Sequence, residues 1–230
     1  MKKIIITALS LLVLFHFGLA QSCDQFLNAT NGKKLVYSNS DAKGNQTGQI
    51  TYTSVKKDAS TITIHSDITD KNGKAMGSSD FDITCNGSSI NIDMRSFMPA
   101  NGNKQMSNMQ MQADGKYLSY PLTLNTGEKL EDGSMVITIL NNGEKFGETH
   151  MDITNRNVVL KETISTPAGD FECFKITYDA RMETKMMGIG IPVTMQSIEW
   201  FSPRLGRFIK SESYNKNGKL MGTTALVAIN

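Results

Sequence analysis

Histidine is nearly missing from this chain, with three in 230 residues, and His16 falls inside an apolar N-terminal run. His65 shares a strand face with Thr61 and Thr63, and His150 alternates with Met151 and Ile153, so both read as solvent-facing. Two isolated histidines supply neither a Ser-His-Asp set nor an HxxxH zinc pair. Hydrolase and zinc-enzyme readings therefore fall, no catalytic residue is assigned, and no cofactor is expected. Beyond its first residues the chain also lacks any apolar run near the ~20 residues that cross a bilayer. It lacks a charge surplus as well: removing the leader with Lys2 and Lys3 takes the formal net charge from +2 to zero, which leaves nothing to attract nucleic acid. Acidic groups such as Glu128, Glu131 and Asp132, or Glu183 and Glu199, would serve glycoside chemistry only if a cleft held two of them at a fixed separation. They read as solvated surface.

What is present begins with MKKIIITALSLLVLFHFGLAQS: two lysines, an apolar run, and small residues three and one before a cut after Ala20. This is the pattern of a secretory signal peptide. Residues 1–20 are read as a cleaved leader and 21–230 as a single exported β domain, periplasmic or secreted. Cys23 follows Ala-Gln-Ser rather than a leucine and two small residues, so a lipid anchor is not favoured.

Period-2 alternation dominates the rest. QITYTSV (49–55), TITI (61–64), FDITC (81–85) and SINIDM (89–94) alternate and are rich in Thr, Ile and Tyr. Segments 135–140, 149–154, 157–164, 171–187, 193–201, 208–214 and 220–229 continue the pattern. Only residues 98–111 could form a short helix, and Pro99 and Gly102 argue against a long one. Four turns repeat a Gly-x-x-x-Gly step after Asp or Asn, at Gly44 and Gly48, Gly73 and Gly77, Gly143 and Gly147, and Gly218 and Gly222. The first glycine suits a left-handed position closing a turn, with Asp or Asn capping its own backbone, so each repeat predicts a hairpin tip. Their irregular spacing excludes a solenoid.

In TPAGDFECFKITY (166–178), Pro167 and Gly169 suit a further hairpin corner, and Cys173 leaves it on a strand face shared with Phe171, Lys175 and Thr177. A reactive cysteine needs a cationic neighbour, and Lys175 is the sole candidate nearby in sequence; Cys173 is read as a packed thiol. Three cysteines in an oxidising compartment suggest one disulfide and one leftover, and the expected pair is Cys23 with Cys85.

Methionine is the compositional excess, with 14 in the chain. Met94, Met98, Met106, Met109 and Met111 flank one polar loop; Met182, Met186, Met187 and Met195 line another turn. Such clusters fill irregular cores, line adaptable apolar grooves, or more weakly bind Cu(I). Trp200 is a core anchor or a groove aromatic.

With these motifs in place, DITNRNVV (152–159), TPAGDFECF (166–174), KMM (185–187) and YNKNGKL (214–220) resemble the TapB-like family of exported bacterial proteins. They are also similar to a broader set of periplasmic domains with a TPAGxFxCY strand, from which Phe174 departs. That resemblance imports no site; it implies a fold similar to the curved antiparallel half-barrel of Lol-type lipoprotein carriers. The expectation is an all-β chain: a large curved antiparallel sheet or half-barrel of hairpins with at most one short helix, residues 96–114 crossing one mouth. Its function would be a non-enzymatic envelope binding protein, holding a lipid or other apolar ligand beside Met94, Phe97, Met98, Met106, Met109, Met111 and Trp200. The alternatives are an envelope interaction protein with a protein partner, or methionine-based copper binding.

Overall fold

The computed structural model describes residues 23–97, 109–115, 117–186 and 189–230. One short helix, α1 (Cys23–Thr30), precedes thirteen strands. They are β1 (Lys34–Asp41), β2 (Gln46–Lys56), β3 (Thr61–Asp70), β4 (Ala75–Cys85), β5 (Ser89–Asp93), β6 (Met109–Gly115), β7 (Tyr117–Pro121), β8 (Gly133–Asn141), β9 (Glu144–Thr166), β10 (Gly169–Met186), β11 (Ile189–Ser202), β12 (Arg207–Asn215) and β13 (Leu220–Ile229). A 3₁₀ turn, Met94–Phe97, follows β5.

All thirteen strands form one sheet, in the order β6-β8-β9-β10-β11-β12-β13-β1-β2-β3-β4-β5-β7. The first strand lies beside the last, Leu35 opposite Ile229, so the two ends of the chain meet inside the sheet. The sheet's own ends, β6 and β7, are consecutive in sequence, and the sheet is curled into a nearly closed barrel. The seam between those ends is packed by side chains. Arg156 Nη1 donates to Ser119 O of β7 at 3.1 Å and to Glu131 O ahead of β8 at 2.6 Å. Gly133 sits so near Leu118 and Met94 that a Cβ there would come within 3.0 Å of Met94 Sδ.

The four repeated turns are hairpin tips at one end of the barrel, as the Asp/Asn-to-Gly spacing predicts. In three of them the glycine N–H donates to the carbonyl of the Asp or Asn three residues earlier, for example Gly44 to Asp41 at 3.0 Å, and that residue's side chain accepts two more backbone N–H groups. The β8–β9 tip differs: Asn142 and Gly143 both have positive φ, 52° and 85°, the two-residue turn that matches strand twist. The second glycine of each step has a separate task. At Gly48, Gly147 and Gly222 a Cβ would run into a carbonyl oxygen of the neighbouring strand, so these glycines permit close strand approach.

The stretch 98–111, the one read as able to form a short helix, does not supply it where it is described. Met109–Gly115 is strand, residues 98–108 lie outside the described residues, and the helix is instead at Cys23–Thr30. Asp24 favours its first turn. Its apolar face, Phe26 and Leu27, is fully buried, and Gly206 of the β11–β12 turn lies against the Phe26 ring. Burying those two side chains stabilises the fold by about 1.5–3 kcal/mol each, which is what holds so short a helix in place. A disulfide joins Cys23 to Cys85, the expected pair, and staples α1 to the end of β4.

Segments 149–154 and 157–164, read separately in the sequence, are one 23-residue strand, β9, interrupted by bulges. Thr154 is opposite Asp179 and Asn157 opposite Thr177, so two residues of β9 face Tyr178 alone; Asn155 has φ 56°. A second shift skips Val159. Each extra residue changes which parity points inward. Met151 and Ile153 are buried before the first bulge, Arg156 and Val158 after it.

Candidate functional site

The inward parity of β11 is Met195, Ser197, Glu199 and Phe201. Across the ladders these residues meet Ala180 and Tyr178 of β10, and Ser213, Ser211 and Phe208 of β12. Together with Met151 and Ile153 of β9, Ile50 and Tyr52 of β2, Ile92, Ser96 and Tyr120, and Arg207, they enclose a cavity of about 270 Å³ inside the barrel. Its ends differ. Met195 is opposite Asn215, where the β12–β13 tip begins, and there Met195, Ser213 and Ile50 are only half-buried. Towards the β11–β12 turn, beneath which α1 packs, Glu199, Phe201, Arg207, Tyr52 and Tyr120 are buried. The cavity is thus open at the hairpin-tip rim and closed at the helix end.

The closed end concentrates charge that the sequence alone did not flag. Glu199, read there as solvated, is only 5% exposed, and its Oε1 has no hydrogen-bond partner. Burial pushes its carboxyl above the ordinary carboxylate range, opposed by the Arg156 charge, a hydrogen bond from Tyr120 and, more weakly, the Arg207 charge. Tyr120 is raised in turn by burial and by Glu199, and Tyr178 likewise. Tyr120 stacks on Phe201 with centroids 4.2 Å apart, and its other neighbour is the Arg156 guanidinium, 4.5 Å from the ring centre. Arg156 is fully buried; Nη1 is bonded to two carbonyls, whereas Nε and Nη2 find no partner. Arg207, 5% exposed, lies 3.9 Å from the Tyr52 ring centre and 5.3 Å from that of Phe81, with Nε and Nη1 unpartnered. Buried guanidinium groups laid on aromatic faces gain from the ring quadrupole, but that leaves their net charge in place.

The expected ligand-binding residues are spread out. Met94 is buried at the seam against Leu118 and β8. Trp200 is buried, donates Nε1–H to Glu162 Oε1 at 2.7 Å and is flanked by the ammonium groups of Lys175 and Lys210. Neither is among the cavity-lining residues. Phe97 ends the 3₁₀ turn, Met109 and Met111 sit in the edge strand β6, and Met98 and Met106 lie outside the described residues. The methionines that do line the cavity are Met151 and Met195.

Cys173 is a free, fully buried thiol. Burial, with the charges of Glu162 and Glu172 beyond it, pushes it up to about 12, the opposite of what a nucleophile requires. Its supposed activator, Lys175, lies over the Trp200 ring instead. His65 is exposed between Asp80 and Asp67, and His150 pairs with Glu148, both away from the cavity lining. Among the described residues no group of three or more His, Cys, Asp or Glu side chains is placed to hold a metal, and no helix is long and apolar enough to cross a membrane.

A nearly closed antiparallel barrel with a mostly apolar interior cavity is the class of fold that these strands define. The chain belongs to the DUF3108-like family, whose model matches residues 30–226. The narrower TapB-like name suggested by its motifs is not shown by that match. The fold is similar to that of a protein of Bacteroides fragilis NCTC 9343, BF2203, described as exported and as having a YmcC-like fold: TM-score 0.67, 22% identity, over 87% of this chain and 96% of that one. It is similar too to a protein of Parabacteroides distasonis ATCC 8503 described as a lipoprotein: TM-score 0.69, 23% identity, over 88% and 96%. No curated protein sequence matches the chain.

Proposed function

We propose that this is an exported binding protein of the cell envelope that carries an apolar or amphiphilic small molecule, a lipid above all, inside its barrel, and that it performs no chemistry on it. The observation that carries this reading is the cavity of about 270 Å³, apolar along Ile50, Met151, Ile153, Ala180 and Met195 and open at one rim. A packed barrel of this kind fills its interior with its own side chains, whereas a binding barrel leaves room and a few convergent polar groups. Export is supported by the leader-like residues 1–20 and by the descriptions of the two related folds as exported and as a lipoprotein.

The test is the mass of the intact protein, purified from its own host and sprayed from non-denaturing buffer. The expected result is an added mass in the lipid range that disappears on denaturation. A bare polypeptide mass, together with no uptake of the apolar probe N-phenylnaphthylamine by the stripped protein, would overturn the reading. A second reading, docking of an envelope protein by strand addition, is favoured by one feature: among the described residues β6 and β7 each have one side unpaired in the sheet. A partner polypeptide mass in the same spectrum would select it.

A further inference from the structure

Resting on the ligand-binding reading above, we propose that the closed end of the cavity takes the carboxylate of a single-chain fatty acid, with Arg207 as its counter-ion and the acyl chain running past Phe208, Met151 and Met195 to the rim. The first support is the interior charge. Two guanidinium groups, Arg156 and Arg207, are buried against one carboxyl, Glu199. Glu199 accepts a hydrogen bond from Tyr120, and Arg156 is the cation that acts on it most strongly. Arg207 acts on the same carboxyl more weakly, so two buried cations share one anion; Arg207 donates to the Tyr37 hydroxyl, forms no ion pair within 4.0 Å among the described residues, and keeps Nε and Nη1 without a partner. A buried guanidinium that lines a cavity and keeps two N–H groups unpartnered is a standing attraction for a negative guest, because burial lowers the effective dielectric around it.

The second support is the neighbourhood of that charge, which selects among anions. Glu199 lines the same floor with a free Oε1, so a dianionic phosphate would meet a carboxyl group beside its guanidinium. A monoanionic carboxylate meets less repulsion, and the protonated form of Glu199 can donate to it. Size is the third. A cavity of about 270 Å³ is at the small end of ligand sites and suits one medium-length chain rather than two.

Calorimetric titration of the full mature chain, stripped of bound lipid, with decanoate, decanol and decyl phosphate tests this. Decanoate is expected to bind at one site at least about tenfold more tightly than decanol, the return on one charge-assisted contact in a buried site. Arg207→Met is expected to bring the ratio of decanoate to decanol affinity down to about one. Equal affinity of decanoate and decanol for the native chain would overturn the headgroup assignment and leave the ligand reading standing; no binding of either would overturn both. Tighter binding of decyl phosphate would overturn the carboxylate. The native-chain comparison decides without any variant, so a poorly folding Arg207→Met leaves the proposal just as exposed.

Discussion

Replacing both Cys23 and Cys85 by alanine should cost this fold a substantial part of its stability. The bond closes a loop with a sequence separation of 62 that contains β1 to β4 in full. In the chain-entropy account, cross-linking a loop of that length removes about 4 kcal/mol of conformational freedom from the unfolded chain. For a chain of this size that corresponds to a fall of roughly 8–16 °C in Tm. The rival effect is local release of α1, since Cys23 is its first residue and Cys23 Sγ also accepts the Gly87 N–H at 3.1 Å. Phe26 and Leu27 oppose release, because undocking them would expose two fully buried side chains at about 1.5–3 kcal/mol each. The helix is therefore expected to stay seated, with the loss appearing as global destabilisation. Urea unfolding followed by the fluorescence of Trp200, with limited proteolysis of the native variant, separates the two. A loss under about 1 kcal/mol, or rapid cleavage ahead of residue 31 in an otherwise intact barrel, would refute the reasoning.

Three further outcomes are expected. Gly206→Ala would place a Cβ in the Phe26 ring at a backbone φ of 58°, and should cost about 2–4 kcal/mol in urea denaturation; a loss near zero would mean that α1 is not seated on this turn. Burial raises the Glu199 carboxyl above its unfolded value near 4.5, so the native chain holds a proton that the unfolded chain releases, and stability falls as pH rises from about 4.5 towards the folded value; Glu199→Gln should flatten that part of the stability-versus-pH curve, and an unchanged slope would count against a strained buried carboxyl. Cys173, held up to about 12, should resist Ellman's reagent at pH 8 in the folded protein and yield one thiol after unfolding without reductant; prompt labelling of the native chain would contradict its burial.

Much of the scaffold was legible because its signals are local. The Asp- or Asn-to-Gly offset announces a hairpin tip whatever surrounds it, since the side chain caps its own turn and the glycine takes the positive φ. Alternation likewise identifies which residues share a strand face, and it located most of the strands. It missed β1, β7 and β6, the last lying partly in the stretch read as able to form a short helix. KLVYSNSD alternates only in its first half, and YLSYP spans five residues at the sheet's end. The stretch TNRN looked like a gap between two strands and is the bulge that turns Arg156 inward.

By itself, then, the sequence determined the class of fold and its hairpin corners, which follow from residue type and short-range spacing. Only closure of the sheet decided the site. Arg156, Glu199 and Arg207 lie on β9, β11 and β12, with Tyr120 on the far edge strand β7, and nothing in their spacing along the chain brings them together. A strand's period of two says which side chains travel together, not which side becomes the inside; a single extra residue in β9, and the meeting of β7 with β8 and β9 across the seam, settled that through packing between elements far apart in sequence.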